Sequence, residues 1–258
     1  MFLTGDVKKA KLLLTKAIGA GGAYPENTAW CISQMAMLDF AQGGYVPAAQ
    51  MLKQGLEQSP NNYHLLAAMG KVKAAMKDYP AAIDYYSKAQ AIVPQHDVVV
   101  ALGDLYALVG RTEEATRQYA LVDSIRKLNQ ANGVTGDLQM ALFLADHDRD
   151  LPEALRLAEA DYKTRPTVYG ADALAWCYFK NGNIPEARKY IKKALSQNTP
   201  DAMFWYHKGL IYAKAGEIAI ARTALYQALS QNPYFDPRAS VEAMRMVQEL
   251  GAIPAGGK

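Results

Sequence analysis

The stretch Ala202–Pro233, AMFWYHKGLIYAKAGEIAIARTALYQALSQNP, decides the fold. Its apolar residues recur at helical spacing on both sides of Ala215-Gly216, which predicts two amphipathic helices joined by a tight turn. Trp205 stands at its fourth position, Gly209 four residues later and Tyr212 three beyond; Ala221, Leu225 and Ala228 follow, and Pro233 closes the unit. Gly209 and Ala221 fall where the two helices cross most closely, so a larger side chain there would push the axes apart. Ala228 allows the same approach to the next pair. Gly216 supplies the permissive backbone of a short helix-to-helix turn, and Pro233 lacks the N–H that would continue the helix. Each pair leaves one apolar face that only a neighbouring pair can bury, so the unit implies an array.

Variants of this unit cover most of the chain. Residues 4–18 match a second helix alone, with Gly5-Asp6 as turn and Ala10 as close-contact alanine; this register suggests a fragment with more repeat upstream. A longer loop, Gly19 to Asn27, precedes the unit at 29–62, in which Gly55 replaces the usual alanine. Units follow at 63–95 and 96–131. The second helix of the latter has no closing proline and should run to about Asn129, stopping at Asn132-Gly133. The unit at 135–167 has Leu142 where Gly or Ala is expected, which predicts looser or shifted packing. Those at 168–201 and 202–235 return to the pattern. After them Asp236-Pro237 open a capping helix, 236–250, with Val241, Met244, Val247 and Leu250 as its apolar stripe.

As a set these residues identify the chain as resembling the tetratricopeptide repeat (TPR) proteins of bacteria. The resemblance implies an all-α fold: one right-handed superhelical solenoid over residues 1–258. It also implies a non-enzymatic interaction scaffold, whose concave groove, formed by the first helices, holds a segment of a partner protein. The alternative is the regulatory or substrate-recruiting region of a larger enzyme or of a secretion or assembly machine. Carrying the family's groove positions across gives Trp30, Met37, Phe40, Lys71, Asp104, Phe143, Tyr169, Asp172, Trp176, Phe179 and Tyr206, with Asp146 beside them. Aromatics dominate both ends, which favours an apolar or aromatic-bearing segment. A clamp for a terminal carboxylate needs several charge-assisted donors, and Lys71 stands nearly alone. A second reading gives Trp30, Trp176 and Phe179 a packing role between neighbouring first helices.

Composition excludes little and suggests nothing exotic. Half the residues are hydrophobic, enough for a folded chain, and 28 Lys and Arg against 25 Asp and Glu argue for no nucleic-acid or anionic-membrane partner. Cys31 and Cys177 lie in repeats four units apart, too far for a disulfide, and no CxxC pair suggests zinc. No cofactor or metal is expected. His64, His96, His147 and His207 lie in separate units and are expected on the surface or in the groove. Asp146-His147-Asp148-Arg149-Asp150 lacks the glycine and distal glutamate of a calcium loop and predicts a polar turn. Arg188, Lys189, Lys192 and Lys193 predict a solvated helix face. No signal peptide or membrane span is visible, which leaves the cytoplasm and the periplasm both open. The unpaired first helix is expected to fray or to mediate self-association.

Overall fold

The computed structural model describes residues 4–20, 25–133 and 137–251. Among these are fourteen α-helices and no strand: α1 Val7–Ala20, α2 Pro25–Phe40, α3 Tyr45–Gln58, α4 Tyr63–Ala75, α5 Tyr79–Ile92, α6 His96–Leu108 and α7 Thr112–Ala131, then α8 Leu138–Asp146, α9 Leu151–Thr164, α10 Val168–Lys180, α11 Ile184–Ala194, α12 Ala202–Lys214, α13 Ile218–Gln231 and α14 Ala239–Gly251. Asp and Asn caps start many of them. Asn62 accepts hydrogen bonds from the amides of His64 and Leu65, Asp137 from Met140, and Asp201 from Met203.

Nearly all the chain falls into two compact units, 6–132 and 133–258. In the first, each helix packs on the next, and α2 also reaches α4. In the second, α8 to α14 do the same, and the first helices α8, α10 and α12 touch in series. Within each unit, therefore, successive helices pack in order, as stacked pairs require.

The glycines explain the close crossings. A Cβ on Gly209 would stand 2.5 Å from Cδ2 of Leu225, one on Gly70 2.8 Å from Tyr86, and one on Gly103 2.7 Å from Tyr119. In all three pairs the opposing side chain lies sixteen residues further on, so one packing arrangement recurs in each. Ala82, Ala187 and Ala221 are completely buried, as are Ala89, Ala194 and Ala228 seven residues later. The turns share a device as well. Gly43, Gly110, Gly182 and Gly216 take positive φ, and where glycine is missing, Lys77 (φ 61°) and Asp148 (φ 50°) take it instead.

Some boundaries differ from expectation. Helix α1 continues to Ala20 and α2 begins at Pro25, so the loop after Gly19 is shorter than its glycines suggest, Pro25 being suited to the first helical position. Helix α7 runs to Ala131 and ends before Gly133, which has φ 78°. Helix α8 has only nine residues; Leu142 is half-buried while Ala141, Ala145 and Ala154 are fully buried, so small residues still occupy the packed side of this pair. Helix α14 starts at Ala239, after Asp236 has accepted bonds from the amides of Arg238 and Ala239. Its expected stripe is rotated. Val241 is 61% exposed, and the helix buries Ala239, Ala243 and Leu250.

Candidate functional site

Two places in the fold bring expected groove residues together, one in each unit. In the first unit, Trp30 and Met37 of α2 line a cleft of about 270 Å³ with Leu13 and Leu14 of α1, Ala10 and Gln34. The lining is almost wholly apolar, yet Trp30 is 43% exposed and Leu13 46%. Phe40 and Lys71 lie elsewhere in this unit: the Phe40 ring is buried, with the Lys71 ammonium 5.2 Å from its centroid. Asp104 accepts a 2.8 Å bond from the Tyr119 hydroxyl, which fixes both across the α6–α7 pair.

In the second unit the groove positions of three successive first helices form a row. The Trp176 indole N–H of α10 donates to Asp146 at the end of α8 (2.7 Å). The Trp176 ring lies 6.3 Å from Tyr206 of α12, whose hydroxyl donates to Glu242 of α14 (2.6 Å). Trp176 is only 5% exposed and stacks on Phe179 (5.1 Å) and His207 (4.2 Å, 12° between planes). His207 in turn meets both carboxylate oxygens of Asp172 with Nδ1 at 3.0 Å. Phe143 is buried against His147, and Tyr169 packs edge-on against Phe204 at 5.2 Å.

Electrostatics in this row follow from burial. His207, expected at the surface or in the groove, is 2% exposed. Burial alone would depress its imidazole, but the charge and hydrogen bond of Asp172, with Asp146 and Asp201 beyond, outweigh that and hold its pKa above the ordinary value. Asp146 keeps solvent-exposed surface, yet protein crowds its carboxyl. That desolvation raises its pKa against the opposing pull of His207 and the Trp176 N–H. The Tyr206 phenol is pushed up by burial and then by its bond to Glu242. Cys177 is pushed up to about 12 by burial and is therefore unreactive; it and Cys31 are free thiols.

The sequence missed His207 and Glu242. His207 occupies the sixth position of its unit, outside the groove register, and its partner Asp172 is 35 residues away. The carboxylates of 146–150 have structural work: Asp150 caps α9 and Asp148 pairs with Lys180 at 2.5 Å. Among the described residues no group of three His, Cys, Asp or Glu side chains is placed to hold a metal, and no helix is long and apolar enough to cross a membrane.

Comparison with known proteins agrees with this geometry. A family model described as tetratricopeptide repeat matches residues 173–234. A tetratricopeptide repeat protein from Parabacteroides merdae has a similar fold, with a TM-score of 0.52 at 18% identity over 95% of this chain and 93% of that one. A chain of the APC/C hetero-tetramer Cut9–Hcn1 gives a TM-score of 0.53 at 15% identity, over 96% of this chain and 47% of that one. No curated protein matches the sequence. Stacked helix pairs with these close-crossing glycines define the class of helical-repeat folds. Within it, residues 173–234 match the tetratricopeptide repeat, and the chain has the all-α fold of tetratricopeptide repeat proteins.

Proposed function

We propose that the protein is a non-enzymatic scaffold that holds an apolar segment of a partner protein, with Trp30 as the anchor at one end. The observation that carries this is the cleft of about 270 Å³ in which Trp30 and Met37, both groove positions, meet Leu13 and Leu14 while Trp30 stays 43% exposed. An exposed tryptophan at the edge of an apolar hollow offers large contact area at little entropic cost, the usual character of a binding anchor. The row from Asp146 through Trp176 to Tyr206 supports a second, more polar wall, in which Trp176 serves as backing and Asp146 and Glu242 as the polar ends.

The test is selection of displayed peptides on the intact chain, followed by affinity measurement on Trp30→Ala. The expected result is aromatic or aliphatic consensus peptides whose binding weakens by about 2 kcal/mol or more in the variant, while its melting temperature barely moves. Selected peptides that bind Trp30→Ala as well as the parent would contradict the reading. Leu12, 54% exposed, and Leu13 beside it also suit this end for self-association. Sedimentation velocity checks that point: a parent chain that stays monomeric at every concentration would remove it.

A further inference from the structure

The positive balance of the chain is concentrated in one stretch. Between Ile184 and Gln231, over α11 to α13, seven Lys and Arg face three Asp and Glu, whereas the whole chain has 28 against 25. Helix α12 contains no carboxylate at all. On α11 Lys189, Lys192 and Lys193 are exposed, with Arg188 half-buried one turn before Lys192; the half-buried Lys208 of α12 shares the Tyr212 ring with Arg188 and feels the charge of Lys192. Two of these cations have carboxylate partners: Arg188 pairs with Glu217 at 2.5 Å and Lys189 with Glu186 at 2.7 Å. Lys192, Lys193 and Lys208 have none among the described residues. Lys208 is depressed below its ordinary pKa by burial and then by the nearby charge of Lys192, so two like charges lie within reach of each other.

The aromatic rings of this face are already covered. Lys193 lies 4.7 Å from the centroid of Tyr190 and 5.6 Å from that of Tyr162, and Lys208 lies 5.0 Å from Trp205 and 5.8 Å from Tyr212. Arg188 covers Tyr212 at 5.0 Å, and Tyr190 stacks on Tyr178. Nucleic-acid surfaces of this kind work by leaving ring faces open for bases; these rings stack on cations and on each other. The two unpaired charges on α11 are adjacent residues, about 1.5 Å of rise apart, and the third lies on the neighbouring helix. That suits a few adjacent carboxylates better than a phosphate backbone. Lys208 follows Tyr206 by two residues, about 200° around α12, so this face is distinct from the aromatic row.

We propose that the α11–α12 face of the second unit binds a short acidic segment of a partner protein, its Asp and Glu carboxylates seated between Lys192 and Lys208, with Lys193 adjoining Lys192 along α11. The lysines act as hydrated point charges on flexible stems, so the site reads charge density and not a fixed geometry, and its affinity falls as salt rises.

The experiment titrates the intact chain with fluorescein-labelled hexaglutamate at low salt, beside oligothymidylate, and repeats both on a Lys192→Gln/Lys208→Gln variant and on Lys163→Gln as control. Hexaglutamate binding is expected to weaken roughly five- to tenfold in the double variant, as the loss of two exposed charge pairs gives, and to stay unchanged in the control. Removing mutually repelling charges leaves the fold intact, which melting curves verify. Nitrogen NMR of labelled lysines should show the Lys208 pKa rising when the peptide is added. Undiminished binding by the double variant, tighter binding of oligothymidylate than of hexaglutamate, or no binding at low salt would each overturn the proposal.

Discussion

Substituting Gly209 by alanine separates two opposing effects whose sizes can be worked from the structure. Alanine in a helix interior is favoured over glycine by about 1 kcal/mol. Against this, the new methyl would sit 2.5 Å from Cδ2 and 2.6 Å from Cγ of Leu225, which is completely buried and has no open space to swing into. Relieving such an overlap in a packed core costs about 1–3 kcal/mol. Because two atoms of one rigid branch clash at once, the upper part of that range applies, and a net loss of about 1–2 kcal/mol results. For a unit of this size that lowers the melting temperature by about 3–10 °C. The assay is thermal unfolding followed by tryptophan fluorescence in a Trp30→Phe background, so that Trp176 and Trp205 report the second unit alone. Gly19→Ala is the matched control, since a Cβ there meets nothing within 4 Å and its φ is negative; it should be neutral or gain up to ~1 kcal/mol. If Gly209→Ala melts at or above the parent, the close-crossing argument for the whole array fails.

Three further outcomes are expected. Lys77→Gly should stabilise by about 0.5–1 kcal/mol, because a left-handed lysine carries about 1–2 kcal/mol of strain that glycine avoids, less glycine's entropic cost; Asp148→Gly should gain less, since it loses the ion pair to Lys180. Chemical denaturation reads both, and equal losses would show the turns to be unstrained. Trp176→Ala should cost about 3–5 kcal/mol, as for a core tryptophan, since the side chain is buried, hydrogen-bonded to Asp146 and stacked on two rings; a change under about 1 kcal/mol would return Trp176 to the role of an exposed anchor. Because the folded pKa of His207 lies above its ordinary 6.5, its stabilising contribution is complete below about pH 6.5 and is lost as pH rises through the folded value. The raised pKa of Asp146 acts in the same direction but from lower pH, its contribution being lost as pH rises above its ordinary 3.8, and the His207 step adds a fall in melting temperature from pH 6.5 upward. His207→Gln should flatten that profile, and an unchanged slope would exclude the pair as its source.

The parts of the fold that rest on side-chain size were legible from the chain. Gly70, Gly103 and Gly209 stand where the residue sixteen places later needs room; the small residues marked the close crossing, which the sequence set against Ala221, and the structure adds that Leu225 fills it. What depends on the backbone was hidden: nothing about Lys77 or Asp148 reveals a positive φ, because the turn imposes it whichever residue is present. The register placed Asp172, Trp176 and Tyr206 on one surface, yet it assigned no burial, so Trp176 could equally have been anchor or wedge. His207 escaped because its partner comes from another helix pair, and only stacking of α10 on α12 brings an imidazole to a carboxylate 35 residues away. Val241 misled for the opposite reason: it keeps helical spacing, but α14 turns its alanines toward α13 and leaves the valine in solvent.

The central claim, that an apolar partner segment enters the cleft at Trp30, is tested most directly by fluorine NMR of the chain labelled with 5-fluorotryptophan. Its three tryptophans give three resonances, assigned by single Trp→Phe variants. On titration with a selected apolar peptide the account predicts that the Trp30 resonance shifts in proportion to occupancy, while that of Trp205, on another face of the second unit, stays in place. A saturating peptide that leaves the Trp30 resonance unmoved would contradict it.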